Sequence, residues 1–274
     1  NAEKGDYRVI RWTLAEGSNC LMIPNHNHSD PVLRELFETL NFRIALSLGM
    51  DRAQINELAY MGLGKPRQAS VIEECAWYKP EHGNRWVERD LDEANKLLDD
   101  LGLEKGDDGF RLRPDGEPLT WEIQYAPVFG PWKDVIEMTV KQWEEIGLKV
   151  SVKELDRDLR GQRNQANEND FNVWTQDRCF TPLIQPSWFM PGHGGLDGTA
   201  NFYSQWWTSG GTEGEEPPPE LKAQFELYDK IKAAGPDELP PLAEEFFDRA
   251  SDNLWFIGNV GQLPHVGVVK NKFR

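Results

Sequence analysis

The stretch FNVWTQDRCF, residues 171–180, ends a β-branched and aromatic run in Asp177 and Arg178. A carboxylate at such a place suits an ammonium group, and a guanidinium suits a carboxylate, through charge-assisted hydrogen bonds. A solvated loop ion pair accounts for the same two residues. Trp174, Trp188, Trp206 and Trp207 lie at a strand end or in Trp-, Gly- and Pro-rich loops, where a pocket rim would be. Aromatic walls supply apolar area at low entropy cost and suit peptide side chains or sugar faces. Core packing competes for each of them; Trp121 and Trp143 are assigned to packing outright. Asn25 ends an early strand, where its amide either bonds a ligand or shapes the turn before Asp30.

Other constellations resolve toward architecture. NFRIALSLGMDRAQI, residues 41–55, holds Arg43, Asp51 and Arg52. Asp51 directly precedes an apolar-periodic run, so helix capping explains the spacing without catalysis. The three residues are expected to serve packing, capping and surface pairing. NHNH places His26 and His28 on one side of an extended segment, but no third ligand follows at a familiar metal spacing. GDDGFRLRPDG does not fit a calcium loop and reads as a hairpin. No metal and no cofactor are expected. GxSxG, HExxH, P-loop and GxGxxG are all missing, which argues against an enzyme. A glycoside hydrolase with paired carboxylates stays open as a rival, because acids are abundant along the chain.

The 274 residues carry 46 acids against 30 Lys and Arg, a formal net charge of −16. That balance disfavours nucleic acid, whose phosphates need clustered cations. With 39% apolar and 28% charged residues the composition is that of a soluble globular protein. No run approaches the roughly 18 apolar residues of a membrane span. Cys20, Cys75 and Cys179 are widely spaced; one disulfide with a free thiol and three buried thiols both remain open.

Elements follow from pattern. YRVIRWTL (7–14) and NCLMIPN (19–25) read as strands. Asp30 and Pro31 open a helix. Asn41 is positioned to cap a second helix, ended by Gly49, and Asp51 a third, stopping at Gly62. Residues 70–86 read as an ordered loop, and DLDEANKLLDDLGL as an amphipathic helix. FRLRPDGEPLTWEIQYA reads as two strands around a Pro-Asp-Gly turn. The next helix presents Val135, Ile136, Val140, Trp143 and Ile146 on one face. With the strand LKVSVKEL it forms a right-handed βαβ unit. A polar helix and the strand FNVWTQ follow. Residues 178–219 form a long irregular stretch of the kind that carries function. Two helices, about 220–234 and 238–253, precede an apolar strand-like tail with no evident partner.

MIPNHNHSDPVLRELFETLNFRIALSLGMDRAQI resembles the signature of family 5 solute-binding proteins of ABC importers, the oligopeptide- and dipeptide-binding type, with Gly49-Met50 where Ala-Ile is usual. DLDEANKLLDDLGL, PLTWEIQY, KQWEEIGLKVSV and LWFIGNVGQLPHVGVVKN continue the match in order. The resemblance implies an α/β fold: a periplasmic-binding-protein-like (type II) lobe with a mixed central sheet flanked by helices. Full members have two lobes around a hinge. Residues 1–2 read as a tag remnant and 3–256 as the C-terminal ligand-binding lobe, with a crossing strand near 7–25. Residues 257–274 read as a tail returning toward a missing N-terminal lobe. The implied role is capture of short peptides between lobes and delivery to an ABC permease, in a periplasmic or cell-envelope extracellular location. In peptide-binding relatives the strand matching 171–176 ends in Gly-Trp-x-x-Asp, whose acid holds the peptide amino terminus. Here the Gly-Trp is missing, which admits an oligosaccharide or another small polar solute. The expected ligand-binding set is Asn25, Trp174, Asp177, Arg178, Trp188, Trp206 and Trp207.

Overall fold

The computed structural model describes residues 5–192 and 198–273; the expected tag remnant at residues 1–2 lies outside them. The chain opens with β1 (Tyr7–Thr13) and β2 (Ser18–Pro24). Three helices follow: α1 (Pro31–Glu38), α2 (Leu40–Leu48) and α3 (Arg52–Tyr60). After β3 (Lys65–Pro66) come the short α4 (Pro80–Asn84) and α5 (Leu91–Asp100). Then β4 (Thr120–Tyr125), α6 (Trp132–Glu144) and β5 (Lys149–Glu154) form the expected βαβ unit, its strands parallel from Thr120↔Lys149 to Tyr125↔Glu154. The polar α7 (Arg157–Gln165) leads to β6 (Phe171–Gln176). The last part holds α8 (Asn201–Thr208), α9 (Pro219–Ala233), α10 (Leu239–Asn253), β7 (Val260–Gly261) and β8 (Pro264–Lys270).

The central sheet has six strands in the order β3-β7-β2-β6-β4-β5. It is mixed, because β2 runs antiparallel to β6 while β4 runs parallel to both β5 and β6. Successive strand residues face opposite sides, and β2 uses both. Cys20 and Met22 enter one apolar cluster, built around Phe37, Trp121, Trp143 and Phe171. Leu21 and Ile23 enter another, with Phe225, Phe246, Phe247 and Trp255. A strand buried on both faces reads as a continuous apolar run, which is what CLMI is. Cys20, Cys75 and Cys179 are buried and unbridged.

Local signals set several boundaries. The Asp30 carboxylate accepts from Val32 N and Leu33 N, and Asp51 accepts from Gln54 N at 2.8 Å. Elsewhere the structure departs from expectation. The N-cap of α2 is Thr39, not Asn41; its hydroxyl donates back to Glu35 O at 2.7 Å, so α1 and α2 almost abut. Residues 70–86 include α4, and 178–219 include a 3₁₀ turn at Pro186–Trp188 as well as α8. The N-terminus of α8 is capped from afar, by the Asn27 side chain accepting from Phe202 N and Tyr203 N. The Pro-Asp-Gly turn forms, but only isolated bridges precede β4, because Arg111 turns inward to donate to Ile146 O, Leu103 O and Asp99. The tail does have a partner: β8 pairs antiparallel with β1 from Tyr7↔Lys270 to Thr13↔Pro264. This two-stranded ribbon leaves Val9, Trp12, Val266 and Val268 exposed.

Arg52 is not a surface-pairing residue. It is 2% exposed, as is Arg43, and neither forms an ion pair among the described residues. Arg43 donates to the carbonyls of Phe37, Asn253 and Leu254 at 2.6–3.0 Å. Arg52 donates to those of Ser47, Val87 and Gly258 at 2.8–3.0 Å, and to Ser47 Oγ. Burial pushes both guanidiniums down to about 9. They are held by backbone carbonyl dipoles in place of carboxylates. Arg52→Leu keeps most of the apolar stem but removes the side-chain donor of Val87 O and Gly258 O, at roughly 1–3 kcal/mol each, while Ser47 O keeps Met50 N. Urea unfolding should show the free energy of unfolding lowered by several kcal/mol, whereas Arg89→Leu, which removes the partly exposed pair with Glu145, should cost less than about 1 kcal/mol.

Candidate functional site

In open α/β sheets, crevices form beyond the carboxyl ends of strands. Here a cavity of about 360 Å³ opens past the end of β6. Trp174, the fourth residue of β6, forms one wall. The rings of Phe129 and Trp132 meet it edge to face, each at 5.7 Å between centroids. The guanidiniums of Arg160 and Arg157 lie over it at 4.8 and 5.6 Å. Both come from the first turn of α7, where a spacing of three residues puts them on one helical face.

The chain then turns sharply. Arg178 adopts φ +59°, a left-handed conformation uncommon for a residue with a side chain. Its carbonyl accepts from Thr181 N, and Cys179 N donates to Ala15 O, which fixes the turn to the β1–β2 connection. The consequence is that Asp177, Arg178, Ser187 and Trp188 all border the cavity. Trp188 Nε1 donates to Asp177 Oδ1 at 2.9 Å. One carboxylate oxygen is therefore oriented by protein.

Behind this wall lies a buried polar chain. Asn19 Oδ1 accepts from Tyr60 Oη and from Trp132 Nε1, both at 2.8 Å. Its Nδ2 donates to Glu16 Oε1 at 2.6 Å, and the Thr175 hydroxyl donates to the same oxygen. Burial raises the Glu16 carboxyl above the usual range, while those two donors pull it back down. The chain locks Trp132, and hence the edge contact that orients Trp174.

The structure brings Trp174, Asp177, Arg178 and Trp188 together around one cavity. It places the other three expected residues elsewhere. Asn25 is fully buried at the opposite end of β2, donating to Asn167 Oδ1 and Asn169 O and accepting from Asn27 N. Trp207, on α8, stacks on Phe225 at 4.9 Å and donates to Asp229; Trp206 lies under Lys222 Nζ at 5.0 Å. Phe129, Arg157 and Arg160 line the cavity without having been singled out in the sequence. Arg157 and Arg160 sit in a strongly polar helix, where the charge pattern looks like an ordinary solvated face.

The two histidines do not converge. His26 Nε2 lies 3.3 Å from Trp255 O, and His28 Nε2 is 2.8 Å from Asp170 Oδ1. No group of metal-ligating side chains occurs among the described residues. No helix among them is long and apolar enough to cross a membrane.

The chain belongs to the bacterial extracellular solute-binding proteins, family 5, whose model for the middle part of the protein matches residues 3–201. It is similar to a solved oligopeptide-binding protein OppA, with 37% identity and a TM-score of 0.89, over 100% of this chain and 45% of that one. It shares its fold with the periplasmic binding protein MelB of Agrobacterium fabrum C58, solved with stachyose, at 18% identity and a TM-score of 0.78, covering 96% of this chain and 40% of that one. The periplasmic alpha-galactoside-binding protein of Rhizobium meliloti is 24% identical over 158 residues, 56% of this chain and 23% of that protein. The chain thus spans less than half the length of these relatives.

Burial, with the nearby Arg43 charge adding to it, pushes His26 down to about 3. Below about pH 6.5 an unfolded histidine takes up a proton that the folded chain refuses until near pH 3. Stability is therefore lost as pH falls through that window, by on the order of 4 kcal/mol at its lower end. Urea unfolding from pH 7 to pH 4 should show this decline, and His26→Gln should flatten it.

Proposed function

We propose that this chain is a ligand-gripping lobe of an ABC importer's solute-binding protein, and that its solute is a short peptide. The observation that carries the reading is that Asp177, Arg157 and Arg178 border one aromatic cavity. An acid and bases lining one aromatic cavity suit the two charged ends and apolar side chains of a peptide. The likeness to OppA supports it. Asp177 Oδ1 is occupied by Trp188, which leaves the other oxygen for an ammonium group. Phe129, Trp174 and Trp188 supply the side-chain walls. In this reading a second lobe closes over the ligand, the ligand stabilises the closed form by its contacts to both lobes, and the closed form docks on the permease. The protein acts outside the cytoplasmic membrane, in the periplasm or at the cell envelope.

An oligosaccharide is the second reading, favoured by the aromatic walls and by the relatives named for alpha-galactoside binding or solved with stachyose. It fits the ring environment less well. A sugar stacks on an open indole face, whereas Trp174 has two guanidiniums over it and two aromatic edges against it. A glycoside hydrolase needs two facing carboxylates; Asp177 is the one carboxylate among the described residues that line this cavity.

Mass spectrometry of the solute that co-purifies with the protein from its source, released by denaturation, tests the proposal. A ladder of peptides is expected; a hexose series overturns it in favour of the sugar. Asp177→Asn and Arg157→Gln should each weaken peptide binding about tenfold or more, as loss of one charged hydrogen bond does. The 274-residue chain alone supplies one side of a cleft, so calorimetry should find only weak binding; micromolar or tighter affinity would contradict closure between lobes.

A further inference from the structure

A second cavity, also of about 360 Å³, lies at the other end of the same strands. Ser18 is opposite Gln176 and Pro24 opposite Phe171. His26, just beyond β2, therefore sits where β6 begins, while Asp177 sits where it ends. A strand of that length spans about 17–20 Å, so the two cavities are separated by the depth of the sheet. The floor here consists of His26, Arg43, Leu221 and Trp255, all buried, and Pro219 and Glu220 are exposed at the mouth.

The hydrogen-bonding groups of this cavity are unevenly spent. Arg43 uses Nε, Nη1 and Nη2 on three backbone carbonyls. Glu38, half-buried in the wall, accepts from the Tyr203 hydroxyl through Oε1. It forms no ion pair among the described residues, since neighbouring Arg34 pairs with Glu215 and Arg249 pairs with Glu220. Burial raises the Glu38 carboxyl; Arg34 and Arg43 act against that, and Glu215 adds to it. Three of the five Arg43 N–H groups are turned to backbone carbonyls, while acceptors remain in the wall: the second carboxylate oxygen of Glu38 and the lone pairs of Tyr203 Oη. Around them are Leu40, Leu221, Pro218 and Trp255.

We propose that this cavity binds a small organic ammonium ion, its N–H groups on Glu38 and Tyr203 and its apolar body against Leu40, Leu221 and Trp255. An anion would face Glu38 directly. A neutral apolar molecule would remove water from a carboxylate and return no hydrogen bond. An ammonium offsets that loss, and in a partly buried site the attraction is weakly screened by salt. The site lies wholly within this chain and away from the strand ends that hold the first cavity, so it does not depend on which solute the first cavity takes.

The test is thermal unfolding of the 274-residue chain with benzylamine as the probe and benzyl alcohol and benzoate as controls. Benzylamine should raise the Tm with increasing concentration, by on the order of 3 °C near saturation, and neither control should. Glu38→Gln should remove the shift. Leu40→Trp, which fills the cavity and keeps the carboxylate, should remove it as well and guards against misfolding of the first variant. Asp177→Asn should leave the shift intact. No shift with benzylamine, an equal shift with benzyl alcohol, persistence of the shift in Leu40→Trp, or its loss in Asp177→Asn overturns the proposal.

Discussion

Two buried guanidiniums hold the two helical layers of this chain to its last crossing. Arg43 and Arg52 project from consecutive helices and both reach the segment 253–258, taking the carbonyls of Asn253, Leu254 and Gly258. That segment is the exit from α10, where Leu254 is itself left-handed at φ +45°. A helix end leaves carbonyls without partners, and here a side chain from another layer meets them. The same segment then supplies Ile257 to the backbone of Met22, so the arginine contacts set how the C-terminal part meets the central strand. A carboxylate partner would give a stronger pair but would not specify the backbone path. Ser47 and Gln68 complete the arrangement: Gln68 donates to Ser47 Oγ and accepts from Gly258 N.

The same economy runs through the candidate site. A chain with 16 more acids than bases places three arginines and one aspartate around its cavity at the end of β6. Most acids lie on the surface, in loops and helix caps as well as on helices, where they act on solubility and weakly on stability. The arginines come from one turn of helix and one strained turn, both anchored by backbone contacts. Charge is thus sorted by local geometry and not by composition, and net charge says little about what the cavity prefers.

What could be read from residues alone follows from range. Asp30, Pro31 and Asp51 act on backbone two or three residues away, so their caps were legible. So were the βαβ unit, with its period and length, and the nearness of Trp174, Asp177 and Arg178, which border one cavity. The start of α8 was not, because its cap is Asn27, some 175 residues distant. Arg52 was misplaced on the surface for the same reason: its partners are a carbonyl 206 residues away and others across a turn. Arg157 and Arg160 resemble any solvated pair until Trp174 is seen beneath them. Trp206 and Trp207 stood out by type, but type does not reveal that Phe225 and Lys222 already cover their faces. Long-range partners carry no periodicity, and these are the places where reading residues in order fails.

The β1–β8 ribbon has a mechanical consequence. Its strands are antiparallel, with Tyr7 beside Lys270 at the outer end and Thr13 beside Pro264 at the inner end. Tension drawn between the two outer ends loads the rungs one after another, in the geometry of a zipper, and not all at once as in shear. The first bonds to yield lie in a strand pair with little buried surface, remote from the six-stranded sheet. A pull or twist at that end is therefore absorbed as fraying of the ribbon before it can reach the carbonyls that Arg43 and Arg52 hold.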